Sequence, residues 1–260
     1  MKFLHPSPVL VLTALLLTGN GVEAQPVSPL DAARAALNAN DLAKAEVLLV
    51  PLTAADAKDA AAFFTLGQLR ERQRNLKDAA IAYEQATQLD ATKPEYFSAL
   101  GIALSQRMGE LNFMQQAMVS GKLKKAFEKS VALDPRHVPG LIGLTRFYSN
   151  APEIAGGSLT KAADFAERVK QLVPFLGEME LGMIAARDDK FADALGHFEA
   201  AVRLQPDHTG AQIFCGRMLA KLKRTDEART RFEAALKLNP KSEDATKALA
   251  ELNQPAEGPR

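Results

Sequence analysis

Residues 175–208 read FLGEMELGMIAARDDKFADALGHFEAAVRLQPDH and residues 209–242 read TGAQIFCGRMLAKLKRTDEARTRFEAALKLNPKS; the second line varies the first at a displacement of 34 positions. Gly182 returns as Gly216, Ala194 as Ala228, Phe198 as Phe232, Ala201 as Ala235 and Pro206 as Pro240. The same displacement relates Ala45 to Ala79, Leu66 to Leu100 and Gly67 to Gly101. A fixed period of this length marks a chain of stacked supersecondary units, and the apolar spacing within each unit is helical.

The residue types inside one unit have physical reasons. In 209–242, Gly216 and Ala228 are small where two antiparallel helices must approach, while Leu219 and Phe232 fill the space around that contact. Ala235 leaves room for the next hairpin, and Pro240 stops the second helix because it lacks an N–H and disfavours helix in the residue before it. The preceding unit repeats this with Leu181, Gly182, Ala194, Phe198, Ala201 and Pro206, and an earlier one with Phe63, Leu66, Gly67, Ala79, Tyr83 and Ala86.

On these residues the chain resembles the tetratricopeptide repeat (TPR) family, whose pattern is a Leu-Gly pair in the first helix, Ala-x3-aromatic-x2-Ala in the second, and a closing Pro. The resemblance covers nearly all of the chain after the leader. It implies an all-α, right-handed superhelical solenoid of about six helical hairpins, with units at 26–59, 60–93, 94–137, 138–174, 175–208 and 209–242. The third and fourth are enlarged: about ten extra residues lie between Leu104 and Phe127, and a few between Tyr148 and Ala162, including Gly156 and Gly157. A capping helix at 243–253 is expected from Ser242 as its cap and the stripe Ala245, Ala248, Leu249 and Leu252. The Pro- and Gly-containing stretch 254–260 reads as a disordered tail.

The start of the chain is a separate object. Lys2, the apolar run Val9 to Leu17 and the modest residues Val22, Glu23 and Ala24 predict a signal peptide, 1–24, cut after Ala24 and hence a periplasmic or secreted protein. The run is shorter than the roughly 20 apolar residues a membrane-spanning helix needs, so no stable span is expected after cleavage.

Composition bounds the partners. Among 260 residues, 32 Lys and Arg stand against 31 Asp and Glu, a net charge of +1 that gives no general pull toward nucleic acid. The single cysteine, Cys215, excludes an internal disulfide and reads as a small buried residue. The histidines His5, His137, His197 and His208 show no metal-ligand spacing, and Gly156 and Gly157 follow no strand and precede no Lys-Ser pair. Asp188 with Asp189, and Asp226 with Glu227, read as turn residues between helices. No catalytic residue, metal or cofactor is therefore expected, and the chain reads as a non-catalytic scaffold.

The resemblance implies that each unit's first helix lines a concave groove, with its ninth and thirteenth positions pointing inward. These read Arg34 and Asn38, Gln68 and Arg72, Ile102 and Gln106, Arg146 and Asn150, Met183 and Arg187, then Arg217 and Lys221. The fifth positions, Leu30, Phe64, Ser98, Ile142, Met179 and Ile213, are mostly apolar, and the acids expected in the groove are Glu71 and Glu95. An apolar floor with a basic lining suits a protein or peptide segment carrying acidic residues or a free carboxylate. The family's carboxylate-clamp order of Lys and Asn is not matched.

A second candidate surface is the insertion with Met108, Phe113, Met114 and Met118, either an adaptable contact surface or an extended first helix or extra turn packed on its neighbour. Lys122, Lys124 and Lys125 read as a solvated face. The leading expectation is an envelope adaptor that grips a peptide. The alternatives are an accessory module for polysaccharide or envelope-enzyme machinery, weakened by three Tyr and no Trp, and self-assembly through an exposed end.

Overall fold

The computed structural model describes residues 27–54 and 56–253; the expected leader 1–24 and tail 254–260 lie outside them. Among the described residues there are α-helices and short 3-10 turns and no strand. The helices are α1 (Pro29–Asn38), α2 (Leu42–Leu49), α3 (Ala60–Arg72), α4 (Leu76–Leu89), α5 (Pro94–Gln106), α6 (Phe113–Leu133) and α7 (Val138–Asn150). They continue as α8 (Leu159–Leu172), α9 (Pro174–Arg187), α10 (Phe191–Leu204), α11 (Thr209–Lys221), α12 (Thr225–Leu238) and α13 (Glu243–Asn253).

Local sequence sets these limits. Ser28, Asp41, Asp59, Asn75 and Ser158 each accept a backbone N–H from the first turn of the helix that follows, removing an otherwise orphaned donor. From α4 on, second helices stop at a residue with φ near −137°, and at Asp134, Gln205 and Asn239, φ −137 to −138° before Pro135, Pro206 and Pro240, the cause is steric; α2 instead stops at Val50, helical at φ −50° and ψ −52°, and passes into the 3-10 turn Pro51–Thr53. Between the two helices of a hairpin the turn is different. Asn40, Arg74, Asp189 and Lys223 have φ between 53 and 60°, and the next residue's N–H bonds five residues back, as in Asn75 to the Arg70 carbonyl and Arg224 to the Leu219 carbonyl. This is a Schellman closure with a non-glycine residue in the left-handed position.

Hairpin partners pack together, and first helices of neighbouring hairpins also touch: α1 with α3, α5 with α7, and α7 with α9. The second helices have no comparable contact with each other, so the stack is narrower on the first-helix side and curves toward it.

The hairpin contact is a ring seated on a glycine. A Cβ built on Gly67 would lie 2.4 Å from the Tyr83 ring, on Gly182 2.6 Å from Phe198, and on Gly216 2.4 Å from Phe232. Phe127 is seated between two such glycines, Gly101 and Gly143, with corresponding distances of 2.6 and 2.3 Å. Where a unit lacks the glycine, the opposing side chain is smaller. Ala33 and Leu49 hold the two positions in the first hairpin, and Thr145 and Ala166 hold them in the fourth, all fully buried. In the first hairpin the sum of volumes is kept while its division changes, as close packing demands.

The third unit corrects one expectation. Its extra residues do not lengthen the first helix, which ends at Gln106; they form a 3-10 turn, Arg107–Glu110, and prolong the second helix at its amino end. Asn112 and Gln115 close a capping box there, so α6 has 21 residues where α4 has 14, roughly 10 Å more. Nor does the addition pack as an apolar turn: Phe113, Met114 and Met118 are 87, 75 and 75% exposed. In the fourth unit the extra residues form the turn Glu153–Ala155, closed by Gly156 at φ 89°. Of the lysines, Lys122 and Lys125 are exposed as expected, Lys122 pairing with Glu84 at 2.6 Å, whereas Lys124 is half-buried over the Phe147 and Tyr148 rings. Asp226 and Glu227 belong to the first turn of α12 rather than to the connecting turn.

Candidate peptide-binding face

The first helices bring the expected basic positions to one side, but each cation is already engaged with its neighbour. Arg34 lies 3.5 Å from Asp31, and Arg72 donates to the Leu37 carbonyl of the preceding first helix. Arg146 donates through Nε and Nη2 to a single oxygen of Glu180, at 2.9 and 2.7 Å. Arg187 donates to the side-chain oxygen of Asn150 at 2.9 Å, Arg217 reaches Asp244 at 3.2 Å, and Lys221 lies over the Phe191 ring. Glu180 and Asp244, which the sequence reading did not include, thus stand beside the basic positions, while Glu71 accepts from the Tyr83 hydroxyl on the second helix. Stacking brings residues about one repeat apart side by side, and Glu180 stands 34 positions after Arg146. Burial raises the Glu180 carboxyl above its ordinary range, although the Arg146 hydrogen bonds oppose this.

The apolar fifth positions also need correction as a continuous floor. Met179 and Ile213 are 9 and 6% exposed and belong to the inter-helix core. Phe64 and Ile142 are half-buried, Phe64 stacking on Tyr96 at 4.7 Å between ring centres. The floor is made instead by Met183 and Ile184, one helical turn further along α9.

Three of the expected residues meet in one place. Arg146, Asn150 and Arg187, with Ser149, Glu180, Met183 and Ile184, line a cavity of about 300 Å³. It adjoins another of about 360 Å³ that shares Arg146 and Asn150 and is bounded by Met108 and Gln116 from the third unit's insertion and by Pro152 and Ala155 from the fourth's. Met108 thus joins the groove, whereas Phe113, Met114 and Met118 line neither cavity. Arg217 and Lys221 line a separate cavity of about 540 Å³ with Met218, Ala248 and Leu252. Arg34 and Phe64 line none of these, and Arg72 stands with Glu71, Arg74 and Gln106 at another.

Other polar groups serve the fold. Glu178, missed in the sequence because it sits inside the apolar run 175–184, accepts from Lys170 at 2.9 Å and from His197 at 2.7 Å. Burial alone would push its carboxyl up, but the hydrogen bonds from His197 and Lys170 outweigh this and hold it below 4.5. A depressed carboxyl stabilises the fold above its unfolded value and loses that contribution as pH falls through the folded one. Thermal melts below pH 4.5 should therefore show a shallower fall in Tm for Glu178→Gln than for the parent chain; parallel curves would contradict the assignment. His137 bonds Ser98 at 2.9 Å, and His208 caps α11. Cys215 is fully buried, with burial pushing its thiol up to about 11. Among the described residues no group of three His, Cys, Asp or Glu is arranged to hold a metal, and no helix is long and apolar enough to cross a membrane.

Tetratricopeptide repeat models match residues 30–94 and 185–252, together about half of the chain. No curated protein matches the sequence significantly. Solved structures do. PilW, described as a widely conserved type IV pilus biogenesis factor, is 16% identical at a TM-score of 0.68 over 85% of this chain and 96% of its own. A thermophilic TPR protein of Thermus thermophilus is 18% identical at 0.60, over 75% of this chain and 98% of its own. A chain of the APC/C Cut9–Hcn1 hetero-tetramer is 14% identical at 0.67 over 87% of this chain, which spans 42% of that longer protein. At these identities the likeness is one of fold. With ring-on-glycine hairpins, a fixed period and family matches toward both ends, this chain belongs to the tetratricopeptide repeat family.

Proposed function

We propose that the protein is an exported, non-catalytic adaptor that holds an extended peptide segment on its first-helix face. The observation that carries this is the convergence of Arg146, Asn150 and Arg187 over the Met183 and Ile184 floor. Arg146 uses two donors on one carboxylate oxygen and its side chain remains 61% exposed, so further N–H groups face the groove. A peptide carboxylate binds between Arg146 and Arg187, and an apolar side chain fills the adjoining space toward Met108 and Pro152. The apolar leader supports export to the periplasm.

The test begins with full-length protein expressed in a Gram-negative host, recovered from the periplasmic fraction as a chain starting at Gln25. A random peptide library is panned against it, and selected peptides are titrated against the parent and Arg146→Ala/Arg187→Ala. Loss of about tenfold or more in affinity is expected, the equivalent of one charge-assisted hydrogen bond. Unchanged affinity removes this cavity from consideration, and retention of the leader in the cytoplasm removes the export reading.

A further inference from the structure

Both enlargements of the repeat border one cavity. Met108 and Gln116 from the third unit's addition and Pro152 and Ala155 from the fourth's line it together, over Leu123 and Phe147, which are 6 and 8% exposed. Each wall is fixed. The Gln116 side-chain amide donates to the Met108 and Leu111 carbonyls at 3.0 and 2.9 Å, and the Ser158 N–H closes the other turn on the Tyr148 carbonyl at 2.8 Å. A unit of 34 residues has neither addition, so this cavity belongs to the two departures from the repeat.

The cavities next to it are basic. Arg146 and Arg187 stand between α7 and α9, and Arg72 and Arg74 stand with Gln106 between the ends of α3 and α5, around a space of about 460 Å³. The three are consecutive. Gln106 lines the one at α3 and its neighbour Ser105 the walled one, which in turn shares Arg146 and Asn150 with the one at α9. At α3, Arg72 is anchored on the Leu37 carbonyl, while the Arg74 and Gln106 side chains are exposed and make no hydrogen bond or ion pair among the described residues. Glu71, the acid that lines this space, already accepts from the Tyr83 hydroxyl at 2.7 Å, and two arginines outnumber it.

We propose, resting on the peptide-binding reading above, that the bound segment carries an apolar residue with one acidic residue three positions before it and another three positions after it. The apolar side chain enters the walled cavity, one carboxylate lies between Arg146 and Arg187, and the other meets Arg72 and Arg74. The spacing follows from the stack. Packed helices stand roughly 8–10 Å apart, so consecutive gaps between first helices are separated by about that length. A peptide in the polyproline II conformation advances about 9 Å in three residues and returns to the same face, whereas a β-strand returns to one face after about 7 or 13 Å. Every third side chain therefore meets the next cavity. With an acid at both ends, the segment fits in either chain direction.

The probe is a fluorescein-labelled, capped peptide, Glu-Pro-Ser-Leu-Pro-Ser-Glu, titrated by anisotropy against the purified chain. Moving either Glu one position nearer to the Leu or further from it should weaken binding about tenfold, the value of one charge-assisted hydrogen bond. Arg72→Ala/Arg74→Ala should also cost about tenfold with this peptide, and nothing with one in which a single Glu is replaced by Gln, because a lone acid takes the Arg146 side. Ala155→Phe, an exposed change that fills the cavity with little effect on Tm, should cost about tenfold with the Leu peptide and remove the difference between Leu and Ala at that position. Equal affinity at every spacing, or binding indifferent to Arg72→Ala/Arg74→Ala or to Ala155→Phe, overturns the assignment. So does failure of this peptide to bind when panned peptides do. In each of those cases, panned peptides that still lose affinity with Arg146→Ala/Arg187→Ala keep the peptide-binding reading standing; panned peptides indifferent to that change remove both.

Discussion

Phe198→Ala should lower stability by about 3–5 kcal/mol, the cost of removing a fully buried ring that its surroundings cannot refill. The ring lies flat against Phe214, 5.0 Å between centres, and over the bare backbone of Gly182. Neither side can move into the void, because Gly182 has no side chain and Phe214 is held on the next hairpin. The loss should also be local. The core falls into successive clusters, one built from 33–69, a second from 79–184 and a third from 175–248, and Phe198 belongs to the last. Stacked repeats communicate through neighbours only, so hydrogen exchange should accelerate across α10 to α13 while α3 to α6 keep their protection. Uniform acceleration along the chain would show that the array unfolds as one unit.

Gly216→Ala should cost about 1–3 kcal/mol, at the upper end of that range for a single methyl group. The new Cβ would stand 2.4 Å from a ring carbon of Phe232, and the ring is 1% exposed, so it has nowhere to retreat. The protein contains its own remedy. In the first hairpin the same two positions are Ala33 and Leu49, both at 0% exposure. Gly216→Ala/Phe232→Leu should therefore recover part of the loss relative to the sum of the single changes, a coupling read from a double-mutant cycle. Strict additivity would mean that the glycine serves backbone conformation rather than the ring.

The hairpin register was legible because this contact leaves a mark in composition: a glycine inside a helix is costly and rarely repeats at a fixed interval without a steric cause. Gly67, Gly182 and Gly216 with their rings repeat it, and Phe127 keeps it even though its unit carries an insertion. The charge pattern of the groove was less legible. Arg146 and Arg187 were visible as basic positions, but their partners depend on the offset between stacked first helices, which places Glu180 and Asn150 beside them. The direction of the third unit's insertion was recorded in Asn112 and Gln115, a capping box that assigns the following residues to α6. Helix propensity alone does not distinguish the two helices, since the Met-, Gln- and Ala-rich stretch suits either.

The left-handed turns at Asn40, Arg74, Asp189 and Lys223 occur where the two helices of one hairpin meet, and the two enlargements of this chain fall at the corresponding places in the remaining units. Among the described residues the junctions from α4 onward are short, whereas the first, between Leu49 and Ala60, holds the 3-10 turn Pro51–Thr53 and is matched by a shorter α2, which leaves the 34-residue period unchanged. Growth at the first kind of turn lengthens a rim and leaves the spacing of the stack untouched, whereas growth at the second would pry neighbouring hairpins apart. For protein engineering, the rim at Lys223 is thus the natural graft point for an epitope, a fluorophore tag or a metal-binding loop. The segment from Leu238 to Glu243 should be left alone.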